Sequence, residues 1–184
     1  IKTALISISD KKNLKPLLNI LKKYKIKIIS SGGTYKKIKK LKFESVEVSE
    51  FTNSPEILEG RVKTLHPKIH SGILNKRNNK SHLKDLKINN FENIDLVIVN
   101  FYPFEKTLKE TNNHNKIIEN INVGGPTMVR AAAKNYKDVT VITCSNQYEE
   151  LINELKKNNG STNLEFRKKL SRIAFSETAY YDSV

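Results

Sequence analysis

Short apolar segments alternate with amphipathic segments along most of the chain, and this alternation constrains the fold more than any other feature. Strands are predicted at residues 3–8, 26–29, 45–48, 96–99 and 139–143. Helices are predicted at residues 14–21, 35–41, 117–121, 128–134, 148–157 and 164–181. Because neighbouring parallel strands need a crossover connection, the pattern predicts an α/β fold with a mainly parallel sheet flanked by helices.

The length of 184 residues fits one domain. The single cysteine, Cys144, excludes an intrachain disulfide and a cysteine-rich zinc module, and we expect it to be an inert core residue. The longest apolar runs, such as residues 96–99, are too short to span a bilayer, and residues 1–10 lack the order of a signal peptide. We therefore expect a cytoplasmic protein with no membrane partner.

The net charge of +14 raises the question of nucleic-acid binding. Of the 33 basic residues, 28 are lysine and only five are arginine, the residue that contacts guanine and phosphate through two hydrogen bonds. The chain is also rich in asparagine and isoleucine, and the codons of all three abundant residues can be written in A and T alone. A codon bias explains the charge, so we expect no nucleic-acid partner.

Two polar turns follow predicted strands. The first strand runs into a turn that contains Ser7, Ser9 and Lys11. The second strand is followed by Ser31, Gly32, Gly33 and Thr34. Glycines before a helix let backbone N–H groups approach an anion, although a simple tight turn with Thr34 as the helix cap is the alternative. Because the carboxyl ends of parallel strands form one crevice, both turns are expected to face it, which favours phosphate binding.

Residues 49–77 show weak periodicity and are predicted to form a long loop with a functional role. Within this segment, Arg61, Lys63 and Thr64 provide two cations and a hydroxyl that suit an anionic substrate. A single lysine usually lies on the solvated surface, so the prediction of an anion site depends on these three residues occurring together.

Two histidines of the same segment, His66 and His70, are four residues apart and raise the question of a zinc site. Pro67 interrupts the helical register between them, and no third ligand is evident. We therefore expect no metal.

A second glycine-rich segment, Gly124 and Gly125, separates two predicted helices and is a candidate cradle for an anion or a carbonyl group. Lys134 follows three alanines in the second of these helices. Close packing there would bury the lysine in part, lower its pKa and make it a proton carrier, whereas the alternative is that it extends to solvent.

Five segments resemble, in order and spacing, the IMP cyclohydrolase domains of bifunctional purine biosynthesis proteins. They are SISDK (7–11), SGGT (31–34), EGRVKTLHPKIHSG (59–72), NFYPF (100–104) and GGPTMVRAAAKN (124–135). The resemblance implies a methylglyoxal-synthase-like three-layer α/β sandwich over residues 1–184, with the formyltransferase domain of the family absent from this chain. It also implies ring closure of 5-formamidoimidazole-4-carboxamide ribonucleotide to inosine monophosphate (IMP), with loss of water and without a cofactor.

The resemblance further implies roles for individual residues. Those that would bind the nucleotide are Ser7, Ser9, Lys11, Ser31, Gly32, Gly33, Thr34, Arg61, Thr64, Asn100, Gly124 and Gly125. Those that would act in the reaction are Lys63, Tyr102, Asn122 and Lys134. Lys63 would orient the formyl group or transfer a proton, and Tyr102 would donate a hydrogen bond to the carboxamide or the oxyanion. Which lysine acts as the base stays open.

One position departs from the family pattern, because Asn122 stands where the family typically has aspartate before the glycine pair. An amide cannot accept a proton at neutral pH or pair its charge with Lys134. We therefore expect slower turnover than with aspartate, with binding largely kept.

Besides the nucleic-acid binder discounted above, two alternatives to the cyclohydrolase stay open at this point. A methylglyoxal synthase shares the SGGT-like phosphate site, but the RVKTLHP and GGPTMVRAAAKN segments argue against it. A nucleotide-sensing module that binds without turnover is consistent with Asn122. A purine nucleotide is the expected small-molecule partner of both a cyclohydrolase and a nucleotide sensor, but not of a methylglyoxal synthase. Whether this chain forms a homodimer stays open.

Overall fold

The computed structural model describes residues 1–101 and 104–184 and contains a parallel sheet. Its strands are β1 (Thr3–Ile8), β2 (Lys27–Ser30), β3 (Val46–Glu47), β4 (Leu96–Asn100) and β5 (Thr140–Ile142). They lie in the order β3-β2-β1-β4-β5, and each neighbouring pair is parallel. The predicted α/β class with a parallel sheet is confirmed.

Helices connect and flank the strands. They are α1 (Leu14–Lys23), α2 (Gly32–Lys40), α3 (Val48–Thr52), α4 (Pro67–Leu74), α5 (Lys80–Ile88), α6 (Phe104–Glu110), α7 (His114–Glu119), α8 (Gly124–Lys134), α9 (Tyr148–Lys157) and α10 (Leu164–Ser183). Helix α1 packs with α9, and α8 packs with α4 and α10. Right-handed crossovers to either side of β1 place these two groups on opposite faces of the sheet. No helix in the described ranges combines the length and the apolar character that crossing a membrane requires.

The core lies between the sheet and its helices. Every residue of β4 is buried, as expected for an interior strand covered on both faces. In α1, four leucines and Ile20 are buried, whereas its three lysines are exposed. Full burial of such a side chain contributes about 1.5–3 kcal/mol, so this stripe fixes α1 against the sheet and sets the exit of β1.

The predicted long loop at residues 49–77 is wrong in part, because it contains α3, a single 3₁₀ turn (Leu58–Gly60) and α4. Pro67 does not break α4 but begins it, since proline is compatible with the first helical position, where no N–H bond is lost. His66 caps this helix, with its Nδ1 accepting from the Lys68 N–H at 3.1 Å. These helices are too short to show a clear apolar period.

Both glycine pairs also differ from their predicted setting. Gly32 and Gly124 are the first residues of α2 and α8, so each pair forms a first helical turn rather than a separate loop. Cys144 is half-buried just after β5 and is not a core residue.

The strand order positions the site. From β1 the chain extends to β2 and β3 on one side and to β4 and β5 on the other, so the order reverses between β1 and β4. At this point Ile8 lies beside Asn100, the last residues of their strands. In open α/β sheets such a switch point opens a crevice at the carboxyl ends of the strands.

Candidate active site

A cavity of about 770 Å³ lies at this switch point. The predicted site residues that line it are Ser7, Ser9, Lys11, Ser31, Gly32, Gly33, Thr34, Arg61, Lys63, Thr64, Asn100, Asn122, Gly124 and Gly125. The fold thus brings together five segments that are distant in sequence. The volume is within the range of small-molecule sites.

Two of the predicted site residues are not placed in the cavity. Lys134 is exposed and ends α8, the helix whose first residues line the cavity. The expectation that Lys134 is partly buried is therefore wrong, and the alternative, that its side chain extends to solvent, is confirmed. An α-helix of this length separates its ends by about 15 Å, which places Lys134 far from the first turn of α8. Tyr102 lies outside the described residues.

The first turn of α2 has the features of an anion site. Within residues 1–101 and 104–184, the backbone N–H groups of Gly32 and Gly33 have no hydrogen-bond acceptor. Gly32 has a φ of +50°, a conformation that glycine adopts without strain. Ser31 precedes the helix with extended backbone and makes no side-chain cap. These N–H groups therefore stay available to a ligand, which helix N-termini favour when it is negatively charged.

Thr34 holds this turn in place. Its Oγ1 accepts from the Ile8 N–H and donates to the Ile8 carbonyl, each at 3.0 Å. The side chain is buried and does not cap α2, so the capping alternative is wrong. Thr34 instead fastens the first turn of α2 to the end of β1.

Two ammonium groups flank the α2 turn. A Cβ atom added to Gly32 would lie 3.1 Å from Lys63 Nζ, and one added to Gly33 would lie 3.8 Å from Lys11 Nζ. Lys11 Nζ donates to the Ser9 carbonyl at 3.1 Å, which directs it toward the cavity side of β1. Two cations and two free N–H donors match the charge and the acceptor oxygens of a phosphate.

Asn100 organises the turn after β1. Its Oδ1 accepts from the Ser9 N–H at 2.6 Å, the Ser9 hydroxyl at 2.9 Å and the Asp10 N–H at 3.1 Å. Its Nδ2 donates to the Asp10 carbonyl at 3.1 Å. The amide is thus used within the protein, and Asn100 positions Ser9 rather than offering free groups to a ligand.

The first turn of α8 forms another part of the wall and is arranged differently. Asn122 Oδ1 accepts from the Gly125 N–H at 2.9 Å, and the Asn122 N–H donates to the Tyr181 hydroxyl at 2.8 Å. A Cβ atom on Gly124 would lie 2.5 Å from Thr64 Oγ1, so only glycine fits there without displacing Thr64. This turn combines a capped N–H with neutral polar side chains.

Sequence reasoning missed two carboxylates that pair with the site cations. Glu56 Oε1 accepts from Lys63 Nζ at 2.7 Å, and Glu119 at the end of α7 pairs with Arg61. Glu56 also packs against Gly60, whose φ is +91°. A pairing across a fold leaves no periodic signal in sequence, so only the structure could identify these partners.

His70, in α4, lies next to the backbone of Thr64, one of the residues that line the cavity. Burial lowers the pKa of its imidazole, and a hydrogen bond with the Thr64 backbone opposes that shift. Its Nε2 is buried and has no partner among the described residues. Those residues also contain no cluster of three histidine, cysteine or carboxylate side chains that could hold a metal ion.

The chain is similar to known proteins over nearly all of its length. Residues 13–127 match the MGS-like domain, and residues 132–184 match the AICARFT/IMPCHase bienzyme. The chain is 50% identical, over 98% of its length, to the bifunctional purine biosynthesis protein PurH of Prochlorococcus marinus subsp. pastoris, and 49% identical to that of Persephonella marina. It spans only 35% of each of these relatives.

A solved structure shows the same fold. The crystal structure of ForH superposes with a TM-score of 0.87 at 29% sequence identity, covering 99% of this chain and 95% of that one. The MGS-like match extends over more than half of the chain and includes both the SGGT turn and the start of α8. This chain therefore belongs to the MGS-like domain family.

Proposed function

We propose that this protein catalyses the IMP cyclohydrolase reaction, the dehydrating ring closure of 5-formamidoimidazole-4-carboxamide ribonucleotide to IMP. The observation that carries the proposal is the cavity itself. It joins a phosphate-type site at Gly32 and Gly33 to the RVKT and GGPT segments, which lie far apart in sequence. The similarity to PurH proteins supports the same reaction.

In this proposal the 5′-phosphate binds at the α2 turn. The free N–H groups of Gly32 and Gly33 donate to its oxygens, and Lys11 and Lys63 balance its charge. An incoming phosphate competes with Glu56 for Lys63, so binding exchanges an internal ion pair for one with the substrate.

Ring closure forms one bond and breaks another. The carboxamide nitrogen attacks the formyl carbon, the new C–N bond forms and negative charge develops on the former formyl oxygen. The carboxamide nitrogen loses one of its two protons and the formamido nitrogen loses its single proton, the carbon–oxygen bond breaks, and the oxygen leaves as water with both protons. Because nucleophile and electrophile belong to one molecule, we assign most of the rate gain to holding both groups in one reactive conformer. Thr64, whose Oγ1 lies beside Gly124 at the start of α8, supplies a hydrogen-bond donor for the oxyanion.

Residues 1–184 form the cyclohydrolase unit in this proposal, and we assign no formyltransferase activity to them. A diffusible nucleotide substrate is consistent with a cytoplasmic protein. Assembly as a homodimer is a separate proposal, which sedimentation of the purified chain tests.

The proposal is tested by following IMP absorbance after the formamido nucleotide is mixed with the purified chain. We expect IMP to form, and a Lys11→Met variant to require more substrate. Binding of the nucleotide without IMP formation would instead identify a nucleotide sensor, which the Asn122 position keeps as the second candidate. Formation of methylglyoxal from dihydroxyacetone phosphate would identify a methylglyoxal synthase.

A further inference from the structure

Tyr181, near the end of α10, contacts the cavity wall without lining the cavity. Its hydroxyl accepts a hydrogen bond from the Asn122 N–H at 2.8 Å, across 59 positions of sequence. The side chain lies in a second, adjoining cavity of about 510 Å³, which shares Ser9 and Asn100 with the first.

The hydrogen bond to Tyr181 helps to fix the position of Asn122. On one side the Asn122 backbone is held by α10, and on the other its side chain caps the Gly125 N–H at 2.9 Å. The asparagine amide also fills the space beside Gly125, where an added Cβ atom would lie 2.8 Å from Nδ2. Asn122 is thus oriented through both its backbone and its side chain.

The ring of Tyr181 packs against two phenylalanines, Phe101 just after β4 and Phe104 at the start of α6. Its centroid lies 5.0 Å from that of Phe101 and 6.1 Å from that of Phe104, with interplanar angles of 50° and 52°. Tilted aromatic pairs at these distances are attractive. Phe101 directly follows Asn100, which lines the active-site cavity.

We propose that Tyr181 is a positioning residue for ring closure, which holds the backbone of Asn122 through its hydroxyl and the side chains of Phe101 and Phe104 through its ring. This inference rests on the proposed function for its kinetic readout. Because the α2 turn has no contact with Tyr181 among the described hydrogen bonds and ring pairs, phosphate binding is expected to be independent of it.

The test is Tyr181→Phe, which removes the hydroxyl and keeps the ring. Tyr180→Phe is the matched control, because Tyr180 is the neighbouring exposed residue and its hydroxyl bonds Glu105 instead. We expect kcat of Tyr181→Phe to fall about 10-fold and KM to change less than twofold. A 10-fold fall corresponds to the free energy that one hydrogen bond typically contributes. The control keeps both constants.

A second measurement does not depend on turnover. Backbone amide exchange at Asn122 is expected to accelerate in Tyr181→Phe and to be unchanged in Tyr180→Phe, with Tm nearly equal in both. If the wild-type chain makes no IMP, the proposed function fails and amide exchange alone decides whether Tyr181 fixes the turn.

The inference is overturned if Tyr181→Phe matches its control in both kcat and exchange. It is also overturned if kcat falls only in proportion to a loss of folded protein, because that result describes a purely structural residue. A Tyr181→Leu variant, which removes the ring contacts as well, should lower kcat further than Tyr181→Phe, and if it does not fold, the phenylalanine variant still gives the answer.

Discussion

Two helices, α2 and α8, begin with a glycine pair at the same cavity, but the side chains around the two pairs differ in charge and in hydrogen bonding. At α2 the N–H groups of Gly32 and Gly33 meet no acceptor in the described part of the chain, and two ammonium groups flank them. At α8 the N–H of Gly125 is capped by Asn122, and the space around Gly124 is filled by the neutral Thr64. A glycine pair at a helix start is therefore not sufficient for an anion site, because free donors and nearby positive charge are also required.

This difference suggests separate roles for the two helix starts. The α2 turn suits the permanent charge of a phosphate, whereas the neutral α8 turn suits the carboxamide and formyl groups of the proposed substrate. Changes at α2 should thus act on binding, and changes at α8 should act on turnover.

The largest effect is expected for Gly32→Ala. An L-residue at a φ of +50° costs about 1–2 kcal/mol, and the added methyl group displaces Lys63 Nζ from 3.1 Å. With the loss of a charge-assisted hydrogen bond, IMP affinity should fall by on the order of 100-fold or more. Titration calorimetry with IMP and with inosine measures this, since the ratio of their affinities isolates the phosphate.

The comparison variant is Gly124→Ala, whose methyl group meets Thr64 instead. It should lower kcat and leave the ratio of IMP to inosine affinity near the wild-type value. A collapse of that ratio in Gly124→Ala, with a normal ratio in Gly32→Ala, would reverse the roles of the two turns.

A smaller effect on binding is expected for Lys11→Met. Removal of one ammonium group beside the phosphate should raise KM about 10-fold with kcat nearly unchanged, because a hydrogen bond to a charged group contributes about 1.5–3 kcal/mol. Lys12→Met, an exposed neighbour outside the cavity lining, is the control and should behave as wild type. An equal change in both variants would point to net charge rather than to the site.

On the α8 side, Asn122→Asp is expected to raise kcat several-fold with KM nearly constant. A carboxylate keeps the acceptor for the Gly125 N–H, is favoured at a helix N-terminus and can accept a proton, which the amide cannot. Asn120→Asp, which changes the same charge two residues earlier, controls for electrostatics. An unchanged or lower kcat at saturating substrate would refute the prediction.

The smallest effect is expected on the thermal stability of the protein, through the partly buried His70. Burial lowers the pKa of His70, so the unfolded chain binds its proton at a higher pH than the folded protein does. Stability should therefore fall as pH drops below about 6.5, the ordinary histidine pKa, toward the lower folded value. Between pH 7.5 and 5.5, Tm should fall less in His70→Gln than in wild type, while His114→Gln, at an exposed position, keeps the wild-type slope.

Strong local signals made much of the fold predictable. The boundaries of β1 and α9 agree with the sequence prediction, because one is a compact apolar run and the other a well-marked amphipathic helix. The helix at Pro67 was also encoded locally, since proline at a first helical position is a start signal, but its short length hid the apolar period.

The site was predictable where polar residues follow strands, as at Ser9 and Ser31, because strand ends converge in a parallel sheet. The error at Lys134 was avoidable, since the residue lies ten positions after Gly124 on one helix. The roles of Thr34 and Glu56 were not predictable, because each depends on a partner that only the folded chain brings close.

The most direct measurement of the central claim is a crystal structure of the protein with bound IMP. The phosphate is expected at the start of α2, with its oxygens within about 3 Å of the Gly32 and Gly33 nitrogens, as hydrogen bonding requires, and the purine ring toward α8. A phosphate bound at Gly124 and Gly125, or outside the cavity, would contradict the assignment of the two helix starts.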